Sequence, residues 1–510
     1  PRQRFGGSRT MDLARRQFLG TAPAAAAVRA KHNGPHPDDA SLPLPDELTL
    51  LLSRATFGAR QAEVDRARAI GYVNWVAEQL AYEAIDDSAL ESLLTSAFPT
   101  LTMSNRQLIE NSLIEANRFQ ALGELRAATY ARQLFSPRQL FEVMVEFWSN
   151  HFNIEHVDGP LREFKTVDDR EVVRRHALGK FRDLLQASAK SVAMLYYLDN
   201  YTNVATGPNE NYARELMELH TLGVDGGYTE SDVREVARIL TGWSIDARLG
   251  SGTEIAFVFR SLSHDMGAKR ALEQDFPAGH GQDEGERLLD LLAAHPATAN
   301  FIAMKLARRF AGDAPQQSLV DAMAATFTAT DGDIREVLRT LFNSSEFRNS
   351  ADQKLKRPAE FVASVLRVTD ATTTGNFYRP LTETLTALGQ LPFGWPAPNG
   401  YPDAMGYWVS STSVLSRWNF VFDLLEGRLA PVLRVDLPTL LGVAASPEAI
   451  VDQLATRLLR RPLATADRAQ FVAVAASNSA TRRPLPSGLR LARARDVAAL
   501  MLSSPYFQYR

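Results

Sequence analysis

NENYARELMELHTLG, running from Asn209 to Gly223, reads as one helix with both of its ends written into it. Asn209 after Pro208 is a good N-cap, Glu210 places an acid at the positive end of the helix dipole, and Gly223 supplies the stop. The spacing predicts a helix from Glu210 to Leu222. At about 100° per residue, Glu210, Asn211, Arg214, Glu215 and Glu218 share a polar sector, and Tyr212, Ala213, Leu216, Met217, Leu219 and His220 take the remainder. Two readings of that sector stand. One is a ladder of i,i+4 pairs, Glu210 with Arg214 and Arg214 with Glu218, on a solvated face. The other is a cleft into which Glu215 and Glu218 project, with Arg214 beside them. His220 falls on the apolar side and is expected to be a satisfied core residue.

Outward from this helix, the chain reads as helix after helix. Pro137 to Trp148 carries Leu140, Met144, Phe147 and Trp148 on one stripe, and Ser231 to Leu240 carries Val233, Val236, Ala237 and Leu240. Thr229 with Asp232 forms an approximate capping box, and Gly242 closes that segment. Strand signal is confined to Ile255 to Phe259, read as a small hairpin before Ser263-His264-Asp265. The fold class is therefore mainly α, a multi-helical globular core with at most a small β-hairpin. Thr372 to Gly406, rich in Gly, Pro and aromatics, reads as a long irregular loop in which Phe393, Trp395, Tyr401 and Trp408 could wall a cleft. Leu341 to Phe347 and Leu500 to Phe507 echo each other, a hint of a duplicated helical unit.

The 510 residues carry a net charge of −3, with 23% charged residues and no cysteine. A basic field for nucleic acid is absent, and thiol nucleophiles, disulfides and Cys-ligated metals are excluded. No apolar run is long enough for a transmembrane span. The mature protein is expected to be soluble. Near the N-terminus, Ala14 to Gly20 reads ARRQFLG and leads into TAPAAAAV, the outline of a twin-arginine export signal with Arg15 and Arg16 and a small-residue cleavage site near Ala30. Met11 reads as the start. The expected organisation is residues 1–30 as upstream sequence and signal, 31–45 as a Pro-rich linker, 46–425 as the helical core and 426–510 as C-terminal helices packing on it.

The blocks LLSRATFGAR (Leu51 to Arg60), FWSNHFN (Phe147 to Asn153), LGKFRDLLQASAKSVAMLYYLDN (Leu178 to Asn200), the Asn209–Gly223 helix, GGYTESDVREVARILTGW (Gly226 to Trp243), SHDMGAK and HPATANFIAMKL (His295 to Leu306) follow one another as in the bacterial family called domain of unknown function 1800, which this chain resembles. The resemblance covers about Leu48 to Trp418 and is expected to extend to the C-terminal helices. It implies an exported, periplasmic or extracellular protein, often with a twin-arginine signal and encoded beside a second, sulfatase-like exported family, which is a candidate partner. The chain departs from the family after SHDMGAK, where Arg270 to Asp275 reads RALEQD.

Three chemistries suit the residues. In a metal-dependent hydrolase, His151, Glu218 and His264 would hold zinc or another divalent ion, Glu215 would be the general base, and Arg214 would orient an anionic substrate group or neutralise the acids. Calcium could instead take Asp199, Asn200, Asn203 and Asn209. In a glycan site, Glu210, Glu215 and Glu218 would act with Asn211 and Trp243 as binding groups. In a helical scaffold or partner protein, the motif would be a buried ion-pair network. No Gly-x-Ser-x-Gly elbow or phosphate-binding loop is present.

Overall fold

The computed structural model of the protein describes residues 42–155, 160–246, 254–476 and 486–510. The twin-arginine stretch, its cleavage site and most of the Pro-rich linker lie outside these residues. From Glu47–Ala55 to Pro505–Gln508 the described chain is mainly α, and its strands form three separate two-stranded antiparallel ribbons. No described helix is long and apolar enough to cross a membrane.

Local signals act where the residues place them. The FWSNHFN block ends the Gln139–His151 helix, whose Leu140, Met144 and Trp148 are buried. Thr229 and Asp232 close a full capping box on Glu230–Ile239, with reciprocal bonds of 2.8 and 3.2 Å. The expected β segment, Ala256–Phe259, pairs with Trp243–Asp246. The RALEQD departure is a second ribbon, Lys269–Ala271 against Gln274–Phe276, turned by Leu272 and Glu273, both at positive φ. A two-residue hairpin turn with that backbone matches the twist of its strands. The long segment expected to be irregular is corrected in part. It contains the helix Tyr378–Ala387, because Pro380 falls in the first turn, where its missing N–H costs nothing, and Leu381 and Leu385 are buried.

One hydrophobic cluster links Leu51, Met144, Trp148, Leu216, Ile302, Val365 and Val497. Burying each such side chain contributes about 1.5–3 kcal/mol. The sequence echo has a structural counterpart. Pro296–Phe310, Gln317–Ala329 and Ile334–Asn343 end in the short helix Ser345–Arg348, and Pro447–Leu454, Thr465–Ala476 and Ser487–Ser503 end in Pro505–Gln508. At each junction a serine hydroxyl, Ser344 or Ser504, donates to the carbonyl three residues back at 2.7 Å. The two units converge on Arg54, whose Nη2 donates to the carbonyls of Ser350, at 2.6 Å, and Arg510.

Candidate functional site

The central helix runs as expected from Glu210, capped by Asn209 Oδ1 on the Asn211 N–H at 3.0 Å, to the stop at Gly223, φ +82. Its second half, Leu216–Thr221, is a π-helix, and this changes the expected pairing. The wider turn breaks the 100° step, so Arg214 does not pair with Glu218. It bonds Glu210 at 3.3 Å and clasps Glu230 with two bonds of 2.8 Å, all on partly exposed side chains. Asn211 is exposed and donates to the Leu198 carbonyl at 3.3 Å. Glu215 and Glu218 are half-buried neighbours. Burial, then the Glu218 charge, raises Glu215 above the usual carboxylate range.

His151, Glu218 and His264 do not form one donor set. Among the described residues no three His, Asp or Glu side chains are grouped to hold a metal. His264 is buried, with Nδ1 donating to the Thr241 carbonyl at 2.7 Å and Nε2 lying 3.2 Å from Glu284, a carboxylate also bound by Lys269. His151 is buried elsewhere, with Nε2 on the His220 carbonyl at 3.1 Å and Nδ1 accepting from Lys305 Nζ at 2.8 Å. An ammonium thus sits on the lone pair a cation would need. Trp243 is corrected as well. It is fully buried, and Gly285 packs so closely on its indole that a Cβ there would come within 2.5 Å, so no ring face is open to a sugar. The amides proposed for calcium accept N–H donors instead, Asn200 from Asn203 and Asn203 from Asn209, and so tie the helix start to the core.

His220 lies in the core as expected, but the expectation that it is satisfied there is corrected, and Lys305, which no sequence pattern singles out, lies near it. His220 is fully buried and neither ring nitrogen has a hydrogen-bond partner among the described residues; burial, reinforced by Lys305, lowers it to about 3. Burial likewise holds His151 well below its ordinary value and brings Lys305 down to about 8. Both imidazoles are therefore neutral at neutral pH.

The other face of the Gln139–His151 helix lines a cavity of about 60 Å³. Glu142, Val145, Glu146, Ser149, Asn150 and Asn153 follow an i, i+3, i+4, i+7, i+8, i+11 pattern along it. Thr129 and Gln133 come from the Gln120–Phe135 helix, Asp169 and Arg174 come from the π-helix Asp168–Arg174, and Phe393 and Tyr401 come from the aromatic loop. That loop walls a cleft, as its composition suggested. Asn150 holds it like a strand partner, donating to the Tyr401 carbonyl at 2.9 Å and accepting its N–H at 2.7 Å. Asn153 donates to the carbonyls of Trp395 and Ala397 at 2.9 and 2.7 Å.

The carboxylates of this cavity differ in environment. Glu142 is clasped by both terminal nitrogens of Arg174 at 3.1 and 2.5 Å, and Glu146 bonds Arg357 at 2.7 Å. Asp169, 3% exposed, has no hydrogen-bond or ion-pair partner among the described residues. Burial raises its carboxyl, and Arg174, the nearest cation, offsets this only in part. The Ser149 hydroxyl lining the same space is also without a partner among the described residues, and the Gln133 amide lines it too.

The family described as protein of unknown function, DUF1800, matches residues 50–509, nearly the whole chain. The chain belongs to that family. No curated protein and no solved structure matches it.

Proposed function

We propose that the cavity between the FWSNHFN helix and the aromatic loop binds a small hydroxyl-rich ligand of the sugar class and that Asp169 is its proton donor. The observation that carries this reading is Asp169 itself, a buried carboxyl with no partner among the described residues, beside a Glu142 that Arg174 clasps with two bonds. A buried carboxyl raised above its ordinary range is the usual equipment of a general acid. The unpartnered Ser149 hydroxyl, with the Gln133 amide also in the lining, suits a ligand that both donates and accepts hydrogen bonds, and Phe393 and Tyr401 offer apolar faces for a ring. Catalysis would pass the Asp169 proton to the leaving oxygen as its bond to carbon breaks and water takes its place on that carbon; the proton the water loses restores Asp169, and the Arg174–Glu142 pair lines the site beside it.

The metal-dependent hydrolase is the weaker reading, since Lys305 sits on His151 and His264 is bound to Thr241 and Glu284. Elemental analysis of natively purified protein tests it directly. Export through the twin-arginine route rests on Arg15 and Arg16. Fusing residues 1–45 to a reporter and replacing both arginines with lysine should abolish its translocation.

The decisive experiment is a screen of oligosaccharides and polyols for binding and cleavage by the wild type and Asp169→Asn. Binding by both, with turnover lost only in the variant, is the expected result. Equal turnover by a folded Asp169→Asn protein would remove Asp169 from the chemistry, and no binding by either would reduce the cavity to a solvent pocket.

A further inference from the structure

A second cavity, of about 70 Å³, opens between the Glu47–Ala55 helix, the Pro358–Val368 helix and the C-terminal unit. Its ionisable lining is Lys356, Glu360, Arg460, Arg461 and Arg510, an excess of cations. Two of these are already neutralised. Arg461 clasps Asp352 at 2.6 and 2.7 Å, and Arg510 bonds Glu360 at 2.7 Å. Glu360 has no capacity to spare, because Arg309 and Arg357 reach the same oxygen at 2.6 and 3.0 Å.

Lys356 and Arg460 remain. Lys356 is more than nine-tenths buried and has no oxygen acceptor among the described residues; its ammonium rests 3.4 Å above the Phe507 ring. The Arg460 side chain makes no hydrogen bond among the described residues, and its Nε and one terminal nitrogen are buried without a partner there. Burial depresses both groups, and the nearby carboxylates, Glu360 for Lys356 and Glu63 and Asp370 for Arg460, offset it only in part. Desolvated cations that bond no counter-charge are costly, and a bound oxyanion is the usual remedy. The space has room for roughly five waters, enough for a small anion.

We propose that this cavity is a binding site for a small oxyanion, a phosphate monoester or a carboxylate, recognised by Lys356 and Arg460. The site is separate from the Asp169 cavity and does not depend on its chemistry.

The test is calorimetric titration of inorganic phosphate, methyl phosphate and acetate into the full chain at neutral pH, with ionic strength held constant by chloride. Saturable binding is expected, weakened at least tenfold in Lys356→Met and in Arg460→Asn and unchanged in the exposed control Arg379→Gln. Tighter binding of the phosphates assigns a phosphate monoester, and tighter binding of acetate assigns a carboxylate. Arg460 adopts φ +56, which Asn tolerates, so this variant carries the test if Lys356→Met does not fold. No saturable binding of any of the three anions, or binding unchanged in a folded variant, overturns the proposal.

Discussion

His220 shows what burial does to a single titratable side chain. Its folded pKa lies below its unfolded one, so the unfolded chain binds the extra proton and stability falls as pH drops from about 6.5 towards 3. The slope is on the order of 1.4 kcal/mol per pH unit for one such group, and His151 adds to it. Denaturant titrations of His220→Leu should show a shallower loss between pH 6.5 and 4. Lys305, lowered to about 8, predicts the same direction at the alkaline end, with stability gained as pH rises from about 8 to 10.5. Asp169 has the opposite sign. Its raised folded pKa means that ionisation above its unfolded value opposes folding, so Asp169→Asn should gain about 1 kcal/mol at neutral pH by urea denaturation while losing turnover. These residues were poorly legible in sequence. Nothing in the spacing of Asp168-Asp169 tells which acid meets Lys165, at 2.7 Å, and which faces the cavity unpaired.

At the level of elements, the helices were legible because apolar stripes and caps are local. The π turns were not, since they leave composition unchanged. There are three among the described residues, Asp168–Arg174, Leu216–Thr221 and Ala455–Leu459, and they carry Asp169 and His220 or directly precede Arg460. The side chain of each is a polar group without a hydrogen-bond partner among the described residues, in keeping with the frequent use of such turns at functional sites. The pairing Arg214–Glu218 failed at one of them, and Arg214→Ala should leave the melting temperature nearly unchanged because its partners are largely solvated. The aromatic loop is another matter. Gly400 sits at φ +70, and a Cβ there would stand 2.1 Å from the Asn150 carbonyl oxygen. Gly400→Ala should cost about 1–3 kcal/mol and loosen the wall of the cavity, seen as faster proteolysis within residues 391–404.

For the molecule as a whole, mainly α architecture followed from composition and periodicity, but the arrangement of buried charge did not. The expected ion-pair network of the central helix is on the surface. A buried one lies where Glu360 meets Arg309, Arg357 and Arg510; only Arg357 stands within helical reach of Glu360, and no local pattern connects the other two to it. Arg54 presents the same difficulty. It is fully buried and satisfies the carbonyls of Phe310, Ala311, Ser350 and Arg510. Arg54→Met would strand those acceptors, and a loss of about 3–5 kcal/mol by chemical denaturation is expected.

That arginine also imposes an order of events on a chain being synthesised. It is 456 positions from one of its acceptors, so the first described helix leaves the ribosome long before its clamp can close. At about 5–20 residues per second the wait is tens of seconds, during which Leu50, Leu51 and Leu52 can be covered by the helices made soon after, Tyr72–Leu80 and Gln139–His151, while the guanidinium stays in water. The bond to Arg510 is therefore among the last contacts that the described chain can complete as it is made.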